Sequence, residues 1–350
     1  MLRVAYLIPA LTDCGLTRIP FWLSKKLSDK VEIEFLYFRQ KSFSKRGEEL
    51  IPIELPLKKI DFYKFFPDLN NFDIIHSHGF VPDMYVLLHH SEISAKKITT
   101  IHGYHIEDLK YEKGFLLSFL MGNLWNISCK IFDIAVCLTH SMECFYKNKG
   151  ISKITTIYNG VEQPILDTNN SFLTHHCKSS DYVYLSTVSS LNPRKGVGQI
   201  LKLLVKDERY IFTCVGGSSS DIERLQNIAI QLNIQNRCTF IGHCNNPWEY
   251  IINSDIFVFP SRSEGFGLVL VEAALLGIPI VCSDIPTFRE MFTDDEASFF
   301  KMDDIDNLHD KVMRMDELKK KKAKAKIKAT DTFNVIKMSD EYYRLYNSLL

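Results

Sequence analysis

Short apolar runs alternate with longer helical patterns along most of the chain, and this alternation limits the fold more than any other feature. Apolar runs in the first half include "RVAYLI", "VEIEFLYF", "FDIIHS", "KKITTIHG" and "IFDIAVCL". After about residue 181 the alternation resumes with "YVYLSTVS", "YIFTCVGG", "RCTFIGH" and "DIFVFPS". Strands that alternate with helices form parallel sheets with right-handed crossovers. The pattern therefore predicts an α/β fold built from doubly wound sheets.

The chain is too long for one compact core, since 350 residues exceed what a single domain usually contains. The stretch 161–181, "VEQPILDTNNSFLTHHCKSSD", loses periodicity and gathers Asn, Thr, Ser and Asp, which is typical of a linker. We therefore predict two Rossmann-like domains, 1–165 and 176–333. Ligands bind at the carboxyl ends of parallel strands, so we expect the domains to face each other across a ligand cleft.

Composition excludes several classes of protein. The 42 basic residues balance 42 acidic ones, so no overall positive field favours nucleic acid as a partner. Nine cysteines without paired spacing indicate reduced thiols and a cytoplasmic location.

The first apolar run lacks a cleavage site, which favours a strand over a signal peptide. Polar residues break the most apolar later stretch, 114–132, so no membrane-spanning helix is predicted.

Two carboxylates flank a glycine turn in "SRSEGFGLVLVEAALLGIPIVCS", residues 261–283. The turn Gly265-Phe266-Gly267 opens a predicted helix, whose backbone N–H groups suit a phosphate. Glu264 and Glu272 repel phosphate, but carboxylates accept hydrogen bonds from hydroxyl groups. A nucleotide sugar, with hydroxyls at both ends and phosphates between them, fits this layout. On spacing alone, a helix start with a favourable Glu264 and an incidental Glu272 fits equally well.

The same stretch resembles the signature of the family-4 retaining glycosyltransferases, whose Glu-x7-Glu motif aligns onto Glu264 and Glu272. Further family-like motifs occur in the expected order: "DIIHSH", "TIHGYH", "YNGVE", "VSSLNPRKG", "FIGH" and "YYRLY". The resemblance covers almost the whole chain and is weaker in its first part. It implies the two-domain GT-B fold, with the C-terminal helix, 334–350, completing the N-terminal domain.

The resemblance implies roles for residues of the C-terminal domain. Glu272 would bind the nucleotide ribose, Glu264 the donor-sugar hydroxyls near the reacting carbon, and Lys195 the diphosphate. Backbone amides would face the sugar and the diphosphate at Gly265, Phe266, Gly267 and Leu268. Ser190 stands where the family usually has a diphosphate-binding arginine, and Arg194 is the candidate to replace it. In an extended loop, the alternation of side chains would equally well point Arg194 away.

In the N-terminal domain, His102 of "TIHG" matches the family's histidine beside the transferred sugar. Gly15, in the first strand–helix loop, would let that loop approach the diphosphate, although Cys14 replaces the first of the family's two glycines. His76 and His78 are interpreted as structural.

A zinc site is the alternative interpretation of Cys238, His243 and Cys244. No second Cys/His pair with usable spacing accompanies them, so incidental cysteines are favoured and no metal site is predicted.

The motifs imply a retaining hexosyltransferase that moves sugar from a nucleotide-diphosphate donor to a saccharide or lipid-linked saccharide acceptor. We expect a role in surface polysaccharide or lipopolysaccharide synthesis, without a metal or any cofactor besides the donor. One alternative is an inactive nucleotide-sugar-binding partner subunit of a transferase, which Ser190 favours. The other is a GT-B-like sugar-nucleotide epimerase, which the motif set disfavours.

Two segments suggest contact with the inner membrane surface, where a lipid-linked acceptor would be found. The stretch 114–128 carries Phe115, Leu116, Phe119, Leu120 and Trp125. A core helix is its favoured interpretation, and peripheral membrane contact is the alternative. The lysine run at 317–328 is typical of a solvated helix face, with contact to anionic head groups as the weaker interpretation.

Overall fold

The computed structural model describes residues 1–12, 14–39, 55–166 and 179–350. The described residues up to 160, together with 333–350, form one compact unit, and those from 161 to 332 form a second. Residues 167–178 of the predicted linker lie outside the described residues, and the linker residues on either side of them carry no helix.

The first unit is built on seven parallel strands in the order β3-β2-β1-β4-β5-β6-β7. The strands are β1 (Leu2–Ala10), β2 (Val31–Arg39), β3 (Leu57–Lys59), β4 (Ile74–His78), β5 (Lys96–Ile101), β6 (Ile134–Cys137) and β7 (Ile154–Thr156). The helices between them are α1 (Gly15–Leu27), α2 (Phe80–Leu88), α3 (His105–Lys113), α4 (Phe115–Ser128) and α5 (His140–Asn148). Strand β1 pairs with both β2 and β4, so the winding direction reverses there and places a crevice at its carboxyl end.

The second unit contains six parallel strands in the order β10-β9-β8-β11-β12-β13. The strands are β8 (Val183–Val188), β9 (Tyr210–Val215), β10 (Cys238–Ile241), β11 (Ile256–Phe259), β12 (Ile280–Ser283) and β13 (Ser298–Phe300). The helices are α6 (Gly198–Leu204), α7 (Ser219–Gln231), α8 (Trp248–Ile251), α9 (Leu268–Leu275), α10 (Pro286–Met291), α11 (Ile305–Met313) and α12 (Met315–Thr332). The prediction of an α/β chain with two doubly wound parallel sheets is confirmed.

The last helix, α13 (Val335–Ser348), belongs to the first unit and packs against α1. Its buried stripe includes Val335, Met338, Tyr342 and Tyr346, which recur at helical spacing. The side chains of Tyr342 and Tyr346 are fully buried. The chain therefore returns to its first sheet at its end.

Two local expectations are wrong. Gly15 is the first residue of α1 and does not lie in the loop before it, because the Cys14 carbonyl already accepts from the N–H groups of Thr17 and Arg18. Helix α4 is not a core helix: Phe115 and Leu116 at its start are 69% and 72% exposed. Among the described residues, every helix is too short or too polar to cross a lipid bilayer.

Candidate active site

A short 3-10 turn, Pro193–Lys195, follows β8 and brings two cationic side chains to the end of β11. Gly196 ends this turn with a φ of 65°. A Cβ at Gly196 would lie 2.1 Å from the carbonyl oxygen of Pro260, so only glycine allows this close packing. The backbone N–H of Arg262 also donates to the carbonyl of Arg194 at 2.9 Å. The turn is thereby held against the segment that precedes Glu264.

The carboxylate of Glu264 is the centre of a charged cluster in the second unit. Lys195 donates from Nζ to Oε1 of Glu264 at 2.5 Å, and Ser261 donates from Oγ to the same oxygen at 2.6 Å. Nη1 of Arg194 lies 3.7 Å from Oε2 of Glu264 and donates to the carbonyl of Ser263. Burial alone would raise the pKa of Glu264, but the charges of Lys195 and Arg194 hold it below its usual range. Glu264 is therefore ionised at neutral pH.

Of the two alternatives left open for Arg194, the one in which it points away along an extended loop does not hold. Residues 193–195 form a turn, and the side chains of Arg194 and Lys195 both reach Glu264. Two cations around one carboxylate leave an excess of positive charge. A partly buried site with this excess attracts an anion such as a diphosphate.

The glycine turn of the signature opens α9 as predicted. Gly267 has a φ of 101°, and a Cβ there would lie 2.9 Å from the ring of Phe288. Thr287 donates from Oγ1 to the carbonyl of Glu264 at 2.7 Å, which holds the turn from the side of α10. Glu272 is 4% exposed within α9. The N–H groups that begin α9 therefore lie beside the charged cluster, at the carboxyl end of β11.

In the first unit, two histidines meet at the ends of neighbouring strands. Nδ1 of His78, the last residue of β4, lies 3.0 Å from Nε2 of His102, which follows β5. His78 is fully buried, whereas His102 is partly exposed. Burial lowers the pKa of His102 to about 4 and that of His78 well below its usual range, and the neighbouring histidines add to the shift of His78. Both rings are therefore uncharged at neutral pH.

His76 lies in a buried hydrogen-bonded chain beside them. Its Nδ1 is 2.8 Å from the hydroxyl of Tyr346, and its Nε2 is 2.8 Å from the hydroxyl of Thr100. The chain continues from Thr100 to Tyr342 at 2.9 Å and from Tyr346 to Tyr6 at 3.1 Å. Burial, with a smaller contribution from the charge of a protonated His102, lowers the pKa of His76 to about 3. These hydrogen bonds connect α13 to β1, β4 and β5, which agrees with a structural role for His76.

Three residues that support these clusters were given no functional role from the sequence: Ser261, Thr287 and His78. Ser261 precedes Glu264 by three positions, and a hydroxyl so close to a predicted buried carboxylate is a usable signal. Thr287 contacts Glu264 in the second unit and His78 contacts His102 in the first, and only the packing of α10 and of β4 reveals these contacts. Within the described parts of the chain, no three His, Cys, Asp or Glu side chains are grouped to hold a metal ion, and this includes Cys238 and Cys244.

Comparison with known families matches both halves of the chain. Residues 175–332 match the model described as "Glycosyl transferases group 1", and residues 37–163 match that described as "Glycosyltransferase Family 4". The chain belongs to the group 1 glycosyltransferases of the GT-B fold. Within this family it is 30% identical over 361 residues to the O-antigen biosynthesis glycosyltransferase WclY of Escherichia coli, covering 99% of each protein. It is 26% identical over 241 residues to the O-antigen chain mannosyltransferase RfbU of Salmonella typhimurium, covering 64% of this chain and 65% of RfbU.

Solved structures agree on the fold. Sucrose-phosphate synthase from Thermosynechococcus elongatus superposes with a TM-score of 0.81 at 15% identity, covering 100% of this chain and 99% of that one. Anabaena HepE in complex with UDP and glucose gives a TM-score of 0.80 at 14% identity, covering 99% and 100%. The glycosyltransferase WaaG, involved in lipopolysaccharide biosynthesis, gives 0.72 at 14% identity, covering 98% and 99%.

Proposed function

We propose that this glycosyltransferase moves a hexosyl group, with retention of anomeric configuration, from a nucleotide-diphosphate sugar to a saccharide of a growing surface polysaccharide. The observation that carries the proposal is the cluster of Lys195, Arg194 and Glu264 beside the first N–H groups of α9. The similarity to WclY and RfbU, both named for O-antigen synthesis, supports the class of acceptor.

The chemistry of the cluster fits the departure of a nucleotide diphosphate. As the anomeric bond breaks, the sugar gains oxocarbenium character and the leaving oxygen gains negative charge. Lys195, Arg194 and the amides that begin α9 would stabilise this leaving charge, so we propose that no metal ion is needed. When the donor binds, Lys195 would leave its ion pair with Glu264 and contact the diphosphate instead. The carboxylate of Glu264 would then accept hydrogen bonds from sugar hydroxyls. His102 would lie beside the sugar.

Glu272 provides the test of donor binding. If its carboxylate accepts hydrogen bonds from two ribose hydroxyls, Glu272→Ala should weaken binding of a nucleoside diphosphate by about 1–3 kcal/mol. Isothermal titration with free UDP and GDP measures the effect. Glu223→Ala, at an exposed position of α7 in the same unit, is the matched control and should leave binding unchanged. Unchanged affinity of Glu272→Ala would remove its ribose role.

Turnover separates a transferase from an inactive partner subunit. Purified protein in EDTA is incubated with a panel of nucleotide sugars, and release of nucleoside diphosphate and the anomer of the freed sugar are followed by NMR. We expect slow hydrolysis of one donor with retained configuration. Binding of a donor without any hydrolysis or transfer would favour the partner subunit, and an inverted product would contradict retention.

We also propose that α4 rests on the membrane surface that presents a lipid-linked acceptor. Seven of its apolar side chains are at least 45% exposed: Phe115, Leu116, Leu117, Phe119, Leu120, Leu124 and Ile127. Its buried residues are instead small or polar: Ser118, Gly122, Asn126 and Ser128. An outward apolar face of this size is typical of an interaction surface. Lys110, Lys113 and Lys130 are exposed at its flanks, where they suit anionic head groups.

Helix α4 is attached to the unit through Trp125, so its outer face can change without loss of the fold. The indole of Trp125 donates to Asp83 at 2.6 Å and stacks on His105 with ring centroids 3.7 Å apart. The double substitution Leu116→Ser and Leu120→Ser should abolish flotation with phosphatidylethanolamine–phosphatidylglycerol vesicles and leave the melting temperature unchanged. Ile336→Ser, at a 66% exposed position of α13, should float like the unmodified protein. Failure of the unmodified protein to float would contradict the proposal.

A further inference from the structure

His78 contacts His102, the histidine proposed to lie beside the sugar, and one hydrogen bond joins the two rings. Both are uncharged at neutral pH, because burial lowers the pKa of each. In the contact between Nδ1 of His78 and Nε2 of His102, 3.0 Å long, one nitrogen donates and the other accepts. The direction of this hydrogen bond decides which nitrogen of His102 carries its own proton.

The second nitrogen of His78 settles the direction. Nε2 of His78 is buried and has no hydrogen-bond partner among the residues that the structure describes. A proton on Nε2 would leave a buried N–H donor unpaired, which folded proteins avoid more strictly than an unpaired acceptor. The proton of neutral His78 therefore lies on Nδ1, and Nδ1 donates to His102.

The surroundings hold the His78 ring in this orientation. The ring of His76 lies over it with centroids 4.2 Å apart, and the edge of Tyr6 packs at 5.8 Å. His76 is in turn fixed through both of its nitrogens by Tyr346 and Thr100. A rotation of the His78 ring would have to displace the rings of His76 and Tyr6 that pack against it.

We propose that His78 is a positioning residue that keeps His102 in the tautomer with its proton on Nδ1. Because Nε2 of His102 accepts from His78, the partly exposed His102 ring offers an N–H donor to a hydroxyl oxygen of the transferred sugar. The role at the sugar rests on the proposed function. The tautomer does not, since it follows from contacts within the first unit.

The tautomer is measured directly on the full chain. Histidine labelled with ¹⁵N, observed in long-range ¹H–¹⁵N spectra at about pH 7.5, distinguishes protonated from bare ring nitrogens. We expect a protonated Nδ1 and a bare Nε2 for both His78 and His102. The variants His102→Gln and His78→Asn identify the two sets of signals. A protonated Nε2 on His102 would overturn the proposal, whatever the enzyme's activity.

Kinetics then test the consequence for catalysis. His78→Leu removes the donor and should lower kcat/KM for the nucleotide sugar about tenfold, with unchanged affinity for the free nucleoside diphosphate. His78→Asn places an amide N–H near the position of Nδ1 and should restore most of the loss. A folded His78→Leu protein with unchanged kcat/KM and unchanged His102 signals would contradict the positioning role. Absence of all turnover in the unmodified protein would instead remove the proposed function and leave the tautomer to the NMR measurement.

Discussion

The two parallel sheets end in different chemistry. After β8 and β11 of the second unit, Lys195, Arg194 and Glu264 form a cluster of full charges. After β4 and β5 of the first unit, uncharged histidines contact each other at the corresponding edge. Similar winding therefore places a charged cluster at the end of one sheet and neutral histidines at the end of the other.

Burial and the neighbouring charges together explain why the carboxylate of one cluster stays charged and the histidines of the other stay neutral. A buried carboxylate remains ionised only beside opposite charges, and Glu264 has two cations within 4 Å. A buried imidazole without a carboxylate nearby stays neutral and is stable when its nitrogens are hydrogen-bonded, as both are in His76. The parallel sheet positions these side chains at the strand ends, and their neighbouring residues determine whether they are charged.

Of the substitutions considered, removal of Lys195 from the charged cluster should have the largest effect on turnover. Lys195→Ala should lower turnover about 10²–10³-fold, since a preorganised donor to the leaving charge is lost. Lys195→Arg should keep part of the rate, because the charge remains but its geometry changes. Steady-state kinetics with Lys202→Ala, an exposed position of α6, as control measure the effect. Turnover of Lys195→Ala within twofold of the unmodified enzyme would refute the charged role of the second unit.

The neutral network should show its effect in stability. Tyr346→Phe deletes the hydroxyl that contacts both His76 and Tyr6, so two buried polar groups lose a partner. The free energy of unfolding should fall by about 1–3 kcal/mol, measured in urea. Tyr343→Phe, partly exposed in the same helix, should change it by less than about 0.5 kcal/mol. Equal effects of both substitutions would mean that the buried hydroxyl network contributes nothing.

Arg194 tests whether the charged cluster needs two cations. Arg194→Ala should reduce kcat about tenfold and donor affinity less, because leaving-group charge grows toward the transition state. Ser190→Arg should raise donor affinity if the loop keeps the family's geometry. Kinetics and titration of each variant give both quantities. A silent Arg194→Ala beside an inactive Lys195→Ala would show that one lysine suffices.

Acid should weaken the first unit before it weakens the charged cluster. Burial holds the pKa of His76 at about 3 and that of His102 at about 4, so below about pH 6.5 the unfolded chain binds protons that the folded chain does not. Stability should fall by about 1 kcal/mol per histidine between pH 6.5 and 5.5. The pKa of Glu264 is held low, so its contribution is lost only as the pH falls through that lower value. A melting temperature that is constant over pH 6.5–5.5 would contradict this difference.

Much of the fold was predictable because its signals are local. Strands covered on both faces become continuous apolar runs, and Val4 to Ile8 of β1 are at most 1% exposed. The glycine turn before α9 was equally readable, since Gly267 is needed for a positive φ. Helix α4 was misread, because its apolar residues indicate burial while its small and polar residues face the unit.

The sequence by itself determined the two sheets, the turn that opens α9 and the residue types available at the strand ends. Only the tertiary structure decided which polar groups meet. Lys195 and Glu264 are 69 residues apart in the chain, His78 and His102 are 24 apart, and His76 and Tyr346 are 270 apart. Apolar periodicity describes what each segment buries and carries no information about partners at such separations. The order of strands in the sheet and the return of α13 bring these groups together, and their contacts then set which side chains stay charged.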